Sequence, residues 1–98
     1  MASGTIPRPA VGHVNFVGNG TYTVPLGIGA YLITMYRPNR AYAEIFFARN
    51  GSTTQYIDSI AAFGTPSAAW DTITFAADGT LSFKVKDGYC NLSWVKLL

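Results

Sequence analysis

Residues 80–98 read TLSFKVKDGYCNLSWVKLL, and the way this stretch pairs decides the fold. Before the Asp87-Gly88 dipeptide, Leu81, Phe83 and Val85 alternate with Ser82, Lys84 and Lys86, the period-two pattern of a strand with one wet face. Beyond it the alternation blurs: Leu92 and Trp94 mark one face, Val95 and Leu97 the other. As a two-residue type I′ turn, Asp87-Gly88 sets Val85 opposite Cys90, Lys84 opposite Asn91, Phe83 opposite Leu92, Ser82 opposite Ser93 and Leu81 opposite Trp94. Every pair then matches in polarity, and the spacing predicts a hairpin. Upstream, a loop Ala77-Asp78-Gly79 aligns Phe75 with Leu81 and Ile73 with Phe83, whereas a shorter loop sets Phe75 against Ser82. The last three strands are therefore expected as a meander, with Thr72, Thr74, Ser82, Lys84, Asn91 and Ser93 on its polar face.

The same reasoning extends towards the N-terminus. A loop Gly18-Asn19-Gly20 aligns Phe16 with Tyr22 and Val14 with Val24. Strands are predicted over 12–17, 21–25, 30–36, 42–49, 53–60, 72–76, 80–86 and 89–97, each rich in Val, Ile, Thr, Tyr and Phe. No segment holds a helical period long enough for a helix, and the pattern predicts an all-β antiparallel sandwich of about eight short strands. Residues 12–98 form one β-sandwich domain in this reading, and 1–11 a flexible, Pro-containing linker or junction.

Composition narrows the function classes. Hydrophobic residues make up 49% of the chain and charged ones 12%, about half the ~25% of an ordinary globular domain. Such a surface suits contacts between copies or sugar binding. The net charge of +2, from Lys and Arg scattered along the chain, gives no footprint for a nucleic acid. Cys90 and His13 stand alone in their types, so no intramolecular disulfide and no Cys/His metal cluster is expected, and no motif asks for a cofactor. No apolar run approaches the ~18 residues of a span and no basic-then-apolar leader opens the chain, so membrane insertion is not expected. The Asn-x-Ser/Thr triplets at Asn19, Asn50 and Asn91 read as turn and strand residues.

Strand 30–36 carries Leu32 on one face and Tyr31, Ile33 and Met35 on the other, and the final strand is likewise apolar on both sides. Such strands need cover twice, once from the domain core and once from a copy of the same chain. Chemistry is sparse. Glu44 and Asp58 are the only plausible acid/base pair, on opposite faces with a two-residue Asn50-Gly51 loop and on one face with a three-residue loop starting at Arg49. Pairing of Glu44 and Asp58 with Arg40 or Arg49 is the simpler expectation, and the chain is read as non-catalytic. YRPNRAY (36–42) sets Arg37, Asn39 and Arg40 between Tyr36 and Tyr42, combining donors for sugar hydroxyls with rings that stack on sugar faces. FGTPSAAWD (63–71) is the longest loop and carries Trp70. Arg37, Asn39, Arg40, Tyr42 and Trp70 are the expected ligand contacts.

The run NGTYTVP (19–25), a short Gly-rich step and then AYLITMY (30–36), together with an apolar terminal strand, resembles the opening and close of small trimeric jelly-roll heads. The chain is similar to the receptor-binding tip domains of bacteriophage tail fibres and tail spikes, and secondly to C1q/TNF-like heads. The resemblance implies a jelly-roll-like fold, a homotrimer, location in the virion at the tail-fibre tip after synthesis in the host bacterial cytoplasm, and adhesion to a bacterial surface polysaccharide or outer-surface protein. A structural assembly or capping module without ligand, and a stand-alone carbohydrate-binding module, are the alternatives.

Overall fold

The apolar/polar alternation becomes eight strands: β1 (Val11–Val17), β2 (Gly20–Pro25), β3 (Ala30–Arg37), β4 (Tyr42–Asn50), β5 (Gln55–Phe63), β6 (Thr74–Phe75), β7 (Thr80–Val85) and β8 (Tyr89–Lys96). The structure, a computed structural model, describes residues 11–38, 42–51, 54–64, 73–85 and 88–98. The strands form two antiparallel sheets, one of five strands ordered β1-β8-β3-β4-β5 and one of three ordered β2-β7-β6. The fold is the expected all-β antiparallel sandwich with jelly-roll-like crossings.

The pairing at the chain's end is not the expected one. β7 lies in the small sheet against β2, with Phe83 opposite Tyr22, while β8 lies in the large sheet between β1 and β3. The chain therefore crosses between sheets from Val85 to Tyr89 rather than turning a hairpin, with Asp87 outside the described residues, and Gly18-Asn19-Gly20 makes the same crossing between β1 and β2. The alignment of Phe16 with Tyr22 survives in another form, because their ring centroids are 4.7 Å apart although their strands belong to different sheets. Polarity matching detected residues that meet across the core and assigned them to a ladder. Where strands do form the predicted hairpin, β6 and β7, Phe75 pairs with Leu81 as expected.

Hydrogen bonds hold the crossings. The Tyr22 hydroxyl donates to the carbonyls of Val17, 3.1 Å, and Gly18, 2.8 Å. The Gly18 amide donates to the Gly88 carbonyl at 2.7 Å, so the β1–β2 and β7–β8 connections bond to each other. At the other end the Tyr31 hydroxyl donates to the carbonyls of Leu26 and Gly27, fixing the β2–β3 connection. Gly79 packs directly on the Gly27 backbone with φ +83°, a left-handed conformation at a place where a Cβ would meet the Gly27 carbonyl. Burial of polar backbone at these corners is thus compensated rather than left unpaired.

The core lies between the sheets. Tyr31, Ile33 and Met35 of β3, Phe46 and Ala48 of β4, Cys90 and Leu92 of β8, and Leu81, Phe83 and Val85 of β7 form one buried cluster, with Trp94 partly buried against it. Each large apolar side chain fully removed from water contributes roughly 1.5–3 kcal/mol. Tyr31 and Met35 are fully buried within their own subunit, so this face of β3 takes its cover from the domain core and needs no copy. The surplus apolar surface lies on the outer face instead. One transverse row of the large sheet runs Val11, Val95, Leu32, Phe47, with Ile45 beside it. Leu32, Ile45, Phe47 and Val95 are only partly covered, Val11 is exposed, and Leu97 keeps 48% of its surface in water.

Candidate functional site

β3 and β4 enter and leave one end of the sandwich at Arg37 and Tyr42, which face each other across the ladder. Both point inwards. Arg37 is 0% and Tyr42 4% exposed, because Arg37 shares the odd-numbered face of β3 with Tyr31, Ile33 and Met35. The expected contact roles for these two residues meet a physical obstacle: neither side chain reaches solvent. The Tyr42 hydroxyl donates to Glu44 Oε1 at 2.9 Å. Burial holds the Tyr42 phenol above its ordinary pKa, with the Glu44 hydrogen bond and charge adding to the rise and Arg37 opposing it. Arg37 and Tyr42 thus build a buried polar base beneath the connection between β3 and β4. Asn39, Arg40 and Trp70 lie outside the described residues.

The exposed aromatic partner of this connection is Tyr36. It is 41% exposed on the outer face, opposite Ala43, which is opposite Phe63, itself 57% exposed. Two aromatic rings therefore flank an alanine, two strand spacings or about 9.6 Å apart. The segment that carries Trp70 departs from Phe63, beside the strand that the 38–41 connection enters. β3 ends, β4 begins and β5 ends at this same end of the sandwich. Phe63 escaped the sequence reading because β5 was expected to end earlier. Tyr36 was legible by parity, since it shares the even-numbered face of β3 with Leu32 and Thr34.

The carboxylate pair does not form. β4 closes on β5 with Asn50 opposite Gln55, and a bulge between Ile45 and Phe46 shifts the register. Glu44 sits on the inner face beside Met35, whereas Asp58 pairs with Phe47 on the outer face. Among the described residues no group of three or more His, Cys, Asp or Glu is placed to hold a metal ion, and His13 hydrogen-bonds Asn15 at 2.8 Å on the surface of β1. No helix among the described residues is long and apolar enough to cross a membrane.

What the fold and this end of it define is a jelly-roll-like β-sandwich module with two exposed aromatic rings at one end. No protein-family model matches the chain and no curated protein matches it. Among solved structures it is similar to the tailspike protein of Acinetobacter phage vB_ApiP_P1, with a TM-score of 0.56 at 11% sequence identity. The match covers 96% of this chain and 22% of that tailspike. At this identity the likeness is one of fold: the chain has an architecture that occurs within a phage tailspike.

Proposed function

We propose that the domain is a non-catalytic receptor-binding module of a phage tail fibre or tailspike, carried in the virion and recognising a bacterial surface glycan as a homotrimer. The observation that carries this reading is the pair of exposed aromatic rings, Tyr36 and Phe63, at one end of the sandwich. Tyr36, 41% exposed, and Phe63, 57% exposed, lie on either side of Ala43 at the end of the sandwich where β3 ends, β4 begins and β5 ends. Exposed rings suit sugars, which offer apolar faces for stacking, and Asn39, Arg40 and Trp70 of the sequence are the further contacts in this reading. Arg37 and Tyr42 serve the site as its buried base. The fold shared with a phage tailspike supports the setting. Each sugar contact is weak in this scheme, and three copies provide avidity.

Binding of the purified chain to host cells and to a glycan array tests the proposal. Arg40→Ala and Trp70→Ala are expected to abolish binding while leaving circular dichroism and sedimentation unchanged. Unaltered binding in both variants would refute the loop site. A second reading, an assembly or capping module without ligand, is favoured by one observation, the row of partly covered apolar residues Val95, Leu32 and Phe47. Silence across a broad glycan panel together with a stable oligomer would select it.

A further inference from the structure

At the other end of the sandwich, about 24 Å along β3 by strand rise, an open cleft of about 510 Å³ is lined by Ile28, Ala30, Arg49, Asn50, Lys96 and Leu98. Its size lies within the range of small-ligand sites. Two of its lining residues are cations and none is Asp or Glu. Each cation lies near a ring, and the two reach the cleft from opposite faces of the large sheet: Arg49 Cζ lies 4.3 Å from the centroid of outer-face Tyr56, and Lys96 Nζ lies 5.9 Å from that of inner-face Tyr31. An aromatic face orients a cation without cancelling its charge. The guanidinium thus stays available for an anion.

The remaining polar groups are committed to structure. Asn50 Oδ1 accepts from the Gly29 amide at 2.8 Å, and its Nδ2 donates to Gln55 Oε1 at 2.8 Å and to the Ala76 carbonyl at 3.1 Å. The Ala30 amide donates to the Leu98 carbonyl at 3.2 Å. The backbone N–H groups that would wrap a phosphate are therefore engaged, and recognition falls to two side-chain cations between the apolar walls of Ile28 and Leu98. A planar carboxylate on a body with an apolar face matches that arrangement, because guanidinium binds carboxylate through parallel hydrogen bonds.

We propose that this cleft binds a carboxylate-bearing saccharide, with Arg49 taking the carboxylate, Lys96 adding its charge, and Ile28 and Leu98 covering the ring's apolar face. The saccharide part of the assignment rests on the glycan-adhesion reading above; the carboxylate part rests on the cleft alone. Two-dimensional NMR of the full chain, titrated with trigalacturonate and separately with its fully methyl-esterified form, tests it. The acid is expected to shift the amides of Gly29, Ala30, Asn50 and Lys96, and the ester to leave them in place. Arg49→Gln is expected to weaken binding of the acid at least tenfold with spectral dispersion retained, and Arg49→Lys to restore part of it. Equal shifts from acid and ester, no shift from either, or displacement by inorganic phosphate at matching concentration would each overturn the proposal. Cell binding measured in parallel separates the two readings. An acid-selective cleft on a chain that fails to bind cells leaves the cleft standing without the adhesion site, and cell binding without acid selectivity does the reverse.

Discussion

Single residues carry much of what is distinctive here, and Cys90 shows how burial sets their chemistry. It is fully enclosed between the sheets, and burial pushes its thiol from the ordinary 9.0 up to about 11, against a partial downward pull from Arg37. At pH 8 the thiolate fraction is then about one in a thousand, so a thiol reagent should find no reactive sulfur until the chain unfolds. Ellman titration of native and denatured protein checks this, and rapid native labelling would contradict it. The same rise links stability to pH. The folded state holds the thiol proton more tightly than the unfolded chain, so this contribution is complete below pH 9 and is lost as pH climbs through about 11. Tyr31 and Tyr42, raised by burial, act in the same direction at still higher pH. Denaturant midpoints should therefore fall above pH 9, and Cys90→Ala should flatten the curve between pH 9 and 10. Arg37 belongs to the same buried region: Arg37→Ala should cost about 2–4 kcal/mol in chemical denaturation, through lost packing and a lost charge beside Tyr42 and Glu44.

The strands themselves were legible in the sequence, and their partners only in part: β6 and β7 pair in the expected register, whereas β7 and β8 do not pair at all. Alternation along 80–86 put Leu81, Phe83 and Val85 on the core side, where all three are fully buried. Yet the polarity match that read β7 and β8 as a hairpin holds equally for side chains that meet across a sandwich, as Phe16 and Tyr22 do. Face is a property of one strand, whereas ladder partner depends on where the connection carries the chain, and Asp-Gly or Asn-Gly permits a sheet crossing as well as a tight turn. The site followed the same division. Its loops were recognisable from their polar and aromatic content, but the expectation of Arg37 as a contact passed over the parity that sets it on the buried face of β3, and the adjacency of Tyr36 and Phe63 required the β3-β4-β5 order. What fixes the crossings is the pair of tyrosines that bond back to their own connections, together with the Gly79–Gly27 contact. Tyr22→Phe and Tyr31→Phe should each cost about 0.5–1.5 kcal/mol, the net value of such a bond. Gly79→Ala should cost more, about 1–3 kcal/mol, because the left-handed backbone and the Gly27 carbonyl both oppose a methyl group. Urea denaturation of the three variants checks the ordering, and a neutral Gly79→Ala would show that the β6–β7 turn does not depend on this contact.

At the scale of the molecule, sparse charge and a half-covered outer face ask the same question: what lies against the large sheet. The inner face is satisfied by one subunit, since Tyr31, Ile33, Met35 and Leu92 are all fully buried. The outer row Val95–Leu32–Phe47 runs across three adjacent strands, flanked by exposed Val11 and Leu97. A specific interface needs about 800 Å² from each partner, with a dry apolar centre. This row supplies such a centre, and it lies towards the end of the sheet remote from Tyr36 and Phe63, leaving those rings free when copies associate. A charge placed in the row should then separate assembly from folding: burying an unpaired lysine at a contact is costly, whereas on a solvated face it is nearly neutral. The unaltered chain is expected to sediment as three copies and Leu32→Lys, set between Phe47 and Val95, as one, with identical circular dichroism. Monovalent affinity for a soluble glycan should be the same in both, while attachment to cells should weaken about a hundredfold or more in the variant, because linked sites multiply weak contacts. If the unaltered chain sediments as a single copy, the row is surface rather than interface, and the avidity that makes individually weak contacts sufficient has to come from elsewhere.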